Sequence, residues 1–429
     1  MWPGLAVGLI WLALSPRGVD AKQPQAVSDL SGERRSAALH YPELPKETQE
    51  RILGVKSQPV AESARPENLL LKDWGLGDIG FFDAFNASVR PVVTSKSDCA
   101  PEVVVAVVDT GIDYTHPALR DNLWINRGET GAWEPPAGAS GALASCHDKS
   151  CNGLDDDGNG FVDDVVGWDF VHEVPLPYDT HGHGTHIAGI ISASSASEES
   201  GVCPRVAIMP LKYYDNSGAG YNNLANTVRA IHYAVKEGAN IINYSGGGAD
   251  PADSERAAID DARRHGILFV AAAGNDGHNN EQTKYFPASY PLDNIIGVAS
   301  VNKLNQLLPS SNYGKIVHLA APGLMILSTL PEGRFGTMSG TSQATAFVTG
   351  AAALLASQQN ATAGGYDYHR LKKWLLEGSK AMPASEHKPL AAGLLNLPGA
   401  LHAESRDQAP TRVNAPEIAV RGRRSQSRP

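Results

Sequence analysis

Val103-Val104-Val105-Ala106-Val107-Val108-Asp109-Thr110-Gly111 reads as a strand buried on both faces that ends abruptly in a polar turn. Its apolar, mostly β-branched run leaves no face to set against water, which suits a parallel sheet covered on both sides. The pattern returns at Ala207 to Tyr213, Asn240 to Tyr244 and Ile267 to Ala273. Between these runs the period changes. Asn222 to Glu237 carries Leu224, Val228, Ile231 and Val235 at helical spacing and is closed by Gly238. Pro251 to His265 is a second helical stretch, with Pro at its start and Gly266 at its end. Strand alternating with helix predicts a doubly wound α/β fold: a mostly parallel sheet with helices on both faces, in three layers. Sites in such sheets gather at the carboxyl ends of strands. Asp109 and Asn275 both stand where a predicted strand stops.

The 429 residues are 42% hydrophobic and 19% charged, enough apolar matter for one large domain with extensions or two ordinary ones. A net charge of −10 argues against a nucleic-acid-binding surface. Leu5 to Leu14 form an apolar run too short to span a bilayer, and Ala21 offers a small residue for cleavage. Residues 1–21 are therefore expected to be an export signal, and the mature protein to be secreted or periplasmic. No later segment is long and apolar enough for a membrane helix, so stable membrane insertion is not expected, and a monomer is. Residues 22–68 are polar and Pro-punctuated, an amino-terminal extension or short propeptide. From 403 to 429 the chain is polar, ends in several arginines, and reads as a solvated, disordered tail.

Four cysteines in an exported chain permit two disulfides with three connectivities. Cys146 and Cys151 flank one short loop. Cys99 and Cys203 each precede a predicted strand and could meet at the amino-terminal edge of the sheet if those strands are neighbours. Four free buried thiols are the alternative.

Three distant stretches supply the parts of an activated nucleophile: Asp109 in the opening run, His183 in His183-Gly184-Thr185-His186, and Ser342 in Gly340-Thr341-Ser342. A serine hydroxyl is a weak nucleophile at neutral pH. It needs an adjacent base, and the base needs an orienting acceptor. His183 and His186 lack the intervening Glu of a zinc peptidase motif, and His186 is read as structural. Aspartic peptidases also use Asp-Thr-Gly, but the continuation Ile112-Asp113-Tyr114-Thr115-His116-Pro117 does not fit them.

With their flanking residues and in the order Asp, His, Ser, these stretches resemble the subtilisin-like serine peptidases, the subtilases or peptidase S8 family. Trp74-Gly75-Leu76 is similar to the segment that opens many subtilase domains, and Gly393-Leu394-Leu395-Asn396 to the one that ends them. The resemblance implies a catalytic domain over 69–402 and a serine endopeptidase acting on protein or peptide substrates. Asp109, His183 and Ser342 would be the triad. Asn275, in Ala271-Ala272-Ala273-Gly274-Asn275, would be the side-chain donor of the oxyanion hole. Asn243-Tyr244-Ser245-Gly246-Gly247-Gly248 resembles the edge that pairs with substrate backbone. There Ser245, Gly246 and Gly247 would line the cleft, the glycines leaving room for a side chain to enter the S1 pocket. Tyr285 aligns with the base of that pocket, where it would narrow or cap S1. Two positions depart from the pattern: Gln343 replaces the Met after the serine, and Ala346 replaces a Pro. Without Pro the helix can run straighter, and a peptide ligase or macrocyclase using the same acyl-enzyme is the alternative reading. A catalytically silent binding protein is a third, against which the intact triad argues.

An insertion near 146–170 holds Asp155, Asp157, Asn159 and Gly160, with Phe161 and Asp163 following. Hard oxygen ligands at alternate positions around a Gly turn follow the first half of an EF-hand loop and suit a structural Ca²⁺. The Glu of position twelve is missing, since Val166 stands there.

Overall fold

The computed structural model describes residues 74–84, 99–194, 200–215, 222–360, 366–383 and 388–408. The export segment and polar extension expected before residue 69 lie outside them, as does the chain beyond 408. In chain order the strands are β1 (Val104–Asp109), β2 (Trp168–Asp169), β3 (Ala207–Lys212), β4 (Ile241–Tyr244), β5 (Leu268–Ala272), β6 (Ile295–Val301), β7 (Leu319–Pro322), β8 (Ile326–Leu330), β9 (Arg334–Met338) and β10 (Gly393–Leu394). The helices are α1 (Trp74–Asp78), α2 (Phe81–Ala84), α3 (His183–Ser192), α4 (Asn223–Lys236), α5 (Asp253–Arg264), α6 (Thr341–Asn360), α7 (Tyr368–Glu377) and α8 (Leu397–Gln408).

Eight strands form one sheet in the order β10-β7-β6-β5-β4-β1-β3-β2, and every pairing in it is parallel. β8 and β9 form a separate antiparallel pair. The chain leaves β1 to build β3 on one side and returns to lay β4 on the other. The strand order therefore reverses at β1, and a crevice opens beyond its carboxyl end.

Alternation along β1 separates two cores. Val105 and Val107 join Ile187 of α3, Phe347 of α6 and Trp374 of α7. Ala106 and Val108 join Ile231 of α4 and Ile259 of α5 on the opposite face. β5 repeats the pattern, with Leu268 and Val270 in the first core and Phe269 and Ala271 in the second. Both faces are covered, which is why these strands read as continuous apolar runs. α6 is apolar nearly all round, its residues from Ala344 to Ala356 buried, as befits a helix through the middle of a core. Ala346 sits fully buried in its second turn, and the helix runs on unbroken to Asn360.

Cys99 is bonded to Cys203 and Cys146 to Cys151, so the four-thiol alternative is set aside. Cys99 and Cys203 lead into β1 and β3, which are sheet neighbours. The carboxyl end needs a correction. By composition the chain leaves the domain at 403, yet α8 continues to Gln408 with Ala403 and Glu404 buried. Asp407 accepts from Lys373 Nζ at 2.8 Å and Trp374 Nε1 at 3.2 Å, pinning the last turn onto α7. A polar composition concealed a helix with one docked face.

The two disulfides should differ in worth. Cys99 and Cys203 are 104 residues apart, Cys146 and Cys151 only five. On loop entropy, paired Cys→Ala replacement should cost about 4–5 kcal/mol for the first and about 2 kcal/mol for the second. Urea denaturation of the two double variants checks this, and equal losses would contradict it.

Candidate active site

Asp109 closes β1 and is 3% exposed. Its Oδ1 accepts from the Thr110 N–H at 2.8 Å and lies 2.7 Å from His183 Nδ1. That contact puts the imidazole proton on Nδ1 and leaves Nε2 as an acceptor. His183 opens α3, and the approach of the two segments is tight. A Cβ on Gly184 would stand 2.1 Å from the Gly111 carbonyl oxygen and 3.1 Å from Asp109 Cβ, so only glycine fits after this histidine.

The start of α3 is held by Asp179, fully buried and missed in the sequence. Its Oδ1 accepts from the His181 and Gly182 N–H groups and from Thr110 Oγ1; its Oδ2 accepts from Thr185 N–H and Oγ1. Thr110 Oγ1 in turn accepts from the Gly184 N–H at 2.9 Å. One carboxylate thus ties the turn after β1 to the first turn of α3. Asp179 stands ahead of the N-cap residue Gly182, outside the usual capping position, so no local pattern pointed to it.

Burial pulls the His183 imidazole down, but the charge and hydrogen bond of Asp109, with the charge of Asp179, outweigh it. The pKa stands above the ordinary 6.5. His186 has a different job. Its Nε2 lies 3.0 and 3.2 Å from the carbonyls of Ile326 and Gly336, and burial pushes it down to about 4. It ties α3 to β8 and β9 as a neutral ring, in keeping with the structural role read from its position.

Ser342 is the second residue of α6 and is 8% exposed. Its Oγ donates to the Ser245 carbonyl at 3.2 Å. Among the described residues no hydrogen bond joins it to His183; such bonds commonly tighten only with substrate in place. Asp109 and His183 are therefore joined directly, and Ser342 is tied through Ser245 to the segment that follows β4. Asn275 faces the same helix start. Its Oδ1 accepts from Thr341 N–H at 3.0 Å and Oγ1 at 3.2 Å, which commits the oxygen end of the amide and leaves Nδ2 as the donor.

The rooms expected beside the glycines of the β4 edge are filled from within. A Cβ on Gly247 would meet Tyr285 Cε1 at 2.6 Å, and one on Gly274 would meet the same ring at 2.8 Å. The Tyr285 ring therefore stands between the Gly247 and Gly274 backbones. Burial, with the charges of Asp276 and Glu255, pushes its hydroxyl up to about 12. Beside Gly246, a Cβ would stand 2.3 Å from Tyr213 Oη, a residue that sequence reasoning did not single out.

In the acidic insertion, Asp155 and Asp157 come together with Glu129, one carboxylate oxygen from each lying within 4.8 Å of the others. Glu129 is fully buried. Its Oε1 accepts from the Asp156 and Asp157 N–H groups, and its Oε2 has no partner. No spacing rule links it to the loop, so the sequence could not point to it. Asn159 Oδ1 accepts from the Phe161 N–H, and the Asp163 carboxylate accepts from the Gly153 N–H. The Phe161 ring packs on Trp168, Phe170 and Tyr233.

Residues 100–394 match the model of the subtilase family, Peptidase S8. The "Thermophilic serine proteinase" of Bacillus sp. (strain AK1) is 32% identical over 315 residues, 72% of this chain and 66% of that protein. "Thermitase" of Thermoactinomyces vulgaris is 39% identical over 230 residues, 53% of this chain and 78% of that one. Among solved structures, the prenylagaramide maturation protease PagA superposes with a TM-score of 0.54 at 25% identity, covering 76% of this chain and 98% of its own. The chain accordingly belongs to the subtilase family and is a serine-type endopeptidase.

Proposed function

We propose that the protein is an exported endopeptidase that cleaves peptide bonds through an acyl-enzyme on Ser342. The observation that carries this reading is the 2.7 Å contact between Asp109 and His183, which frees Nε2 to act as a base. Ser342 Oγ attacks the peptide carbonyl carbon and His183 Nε2 takes its proton. Asp109 orients the ring and stabilises the imidazolium as it forms. Asn275 Nδ2 and the Ser342 N–H receive the oxyanion, helped by the positive end of α6. His183 then protonates the departing amine, and water repeats the sequence to release the acid. Ligation would differ only in an amine replacing that water. The family's hydrolytic activity favours water. Two disulfides support export, since they persist in oxidising compartments.

A fluorophosphonate should label Ser342, and Ser342→Ala should abolish the label and lower kcat by roughly 10⁶-fold, as in subtilisin itself. The imidazole must be neutral to accept a proton, so kcat/KM is lost as pH falls through the His183 pKa. The midpoint should lie above 6.5, because Asp109 raises that pKa. Labelling elsewhere, or a midpoint at or below 6.5, counts against the assignment.

The Tyr285 ring supports a further reading of specificity. With the slot between Gly247 and Gly274 occupied, S1 accepts small residues such as Gly or Ala. Tyr285→Gly should raise kcat/KM for Leu or Phe at P1, relative to Ala, by about 10–100-fold. An unchanged P1 profile in a peptide library discards the idea.

The residues of the acidic insertion fit a hard cation. Three clustered carboxylates, one with a buried unpartnered oxygen, are mutually repulsive without a positive centre. Asp155, Asp157 and Glu129 would hold Ca²⁺, with Asn159, Phe161 and Asp163 the other candidates from the loop. Glu129 would take the place of the Glu missing from position twelve. Calcium at 100 times its Kd should add about 2.7 kcal/mol of stability over chelated protein, roughly 5 °C in Tm. Glu129→Gln should lose most of that increment. A Tm indifferent to chelator rules the cation out.

A further inference from the structure

Gln343 follows the nucleophile in α6 and is 1% exposed. Its Nε2 is enclosed and has no hydrogen-bond partner. A buried amide donor left unspent lowers stability, and methionine, the residue of the family pattern, would fill similar space without that penalty. The position of the carboxamide suggests a use for that donor. A Cβ on Gly340 would stand 3.4 Å from Gln343 Oε1, 3.4 Å from Asn275 Oδ1 and 3.6 Å from Asn275 Nδ2. The two carboxamides thus border the same gap, kept open because residue 340 has no side chain. Gly340 can hold this place because its φ is +150°, a conformation that disfavours other residues. Asn275 has committed its oxygen to Thr341, whereas the nitrogen of Gln343 is uncommitted.

We propose that Gln343 is a further catalytic residue, a third donor to the oxyanion beside Asn275 Nδ2 and the Ser342 N–H. This rests on the acyl-enzyme reading above. When Ser342 Oγ bonds to the carbonyl carbon, the hydroxyl proton passes to His183 and the C=O π pair moves onto oxygen. Rotation about the Gln343 Cγ–Cδ bond exchanges the ends of the amide and brings Nε2–H to that oxygen. The bond exists in the tetrahedral state and is given up as the pair returns and the C–N bond breaks. It acts on turnover and leaves substrate binding alone.

Gln343→Met and Gln343→Leu test this, since both put an apolar side chain of similar size in its place and delete the donor. Each should lower kcat about 10-fold with KM within twofold, and should raise Tm because the unpaired group is gone. A peptide aldehyde, whose adduct with Ser342 carries the same oxyanion, should bind both variants about 10-fold more weakly. The corresponding peptide acid should bind unchanged. An unaltered kcat and aldehyde affinity in both variants overturns the proposal and leaves Gln343 a packing residue. Stoichiometric fluorophosphonate labelling separates the two readings. If Ser342 of the unmodified enzyme is not labelled, the acyl-enzyme reading fails first; if it is labelled while Gln343→Met turns over normally, only the third donor fails.

Discussion

The contact between Asp109 and His183 constrains everything around it. A carboxylate at the end of a buried strand is costly unless its oxygens are engaged. Here the Thr110 N–H and the imidazole engage one of them. For the ring to reach it, α3 must start almost against the turn after β1, a distance only Gly184 tolerates. The helix start then brings its own unpaired N–H groups, and Asp179 caps them while holding Thr110. β1 is fixed from both faces by two apolar cores, so the carboxylate has little freedom to drift. The site inherits its precision from the sheet.

What the sequence disclosed follows from the range of the forces involved. Strands covered on both faces must be apolar throughout, so β1, β3, β4 and β5 were legible within about one residue of their ends. The helices α4 and α5 were legible from period and closing glycines. Asp109, His183, Ser342 and Asn275 stood out because their neighbours are constrained by tight turns. Glu129 did not, because its partners Asp155 and Asp157 are brought to it by the fold. Gly246 and Gly247 were read as leaving room for a substrate side chain, room that the fold fills from within. Tyr285 was read at the base of S1, whereas the approach of Tyr213 to Gly246 is a tertiary fact. The last turn of α8 was hidden for a similar reason, since Asp407 looks solvent-bound until Trp374 and Lys373 are set beside it.

Unpaired buried polar atoms tend to mark places where stability has been traded for activity or ligand capture. Among the described residues, Glu129 Oε2 lies in a carboxylate cluster, and Gln343, whose Nε2 is unpaired, follows Ser342 in α6. His186 Nδ1 is a counter-example. It too is unpaired, yet its ring joins α3 to the β8–β9 pair through the opposite nitrogen. An orphaned group is a question about function, and its surroundings decide the answer.

An endopeptidase at work is crowded by copies of itself, and its own surface is among the chains on offer. Every residue from Gly131 to Ser145 is at least partly open to solvent, which makes that stretch a natural target for a neighbouring copy. It falls inside the span closed by the Cys99–Cys203 bridge. A cut there yields two fragments that cannot diffuse apart, with Asp109 on one and His183 on the other. The bridge keeps Asp109 and His183 within one covalently joined molecule, so self-inflicted damage need not part them.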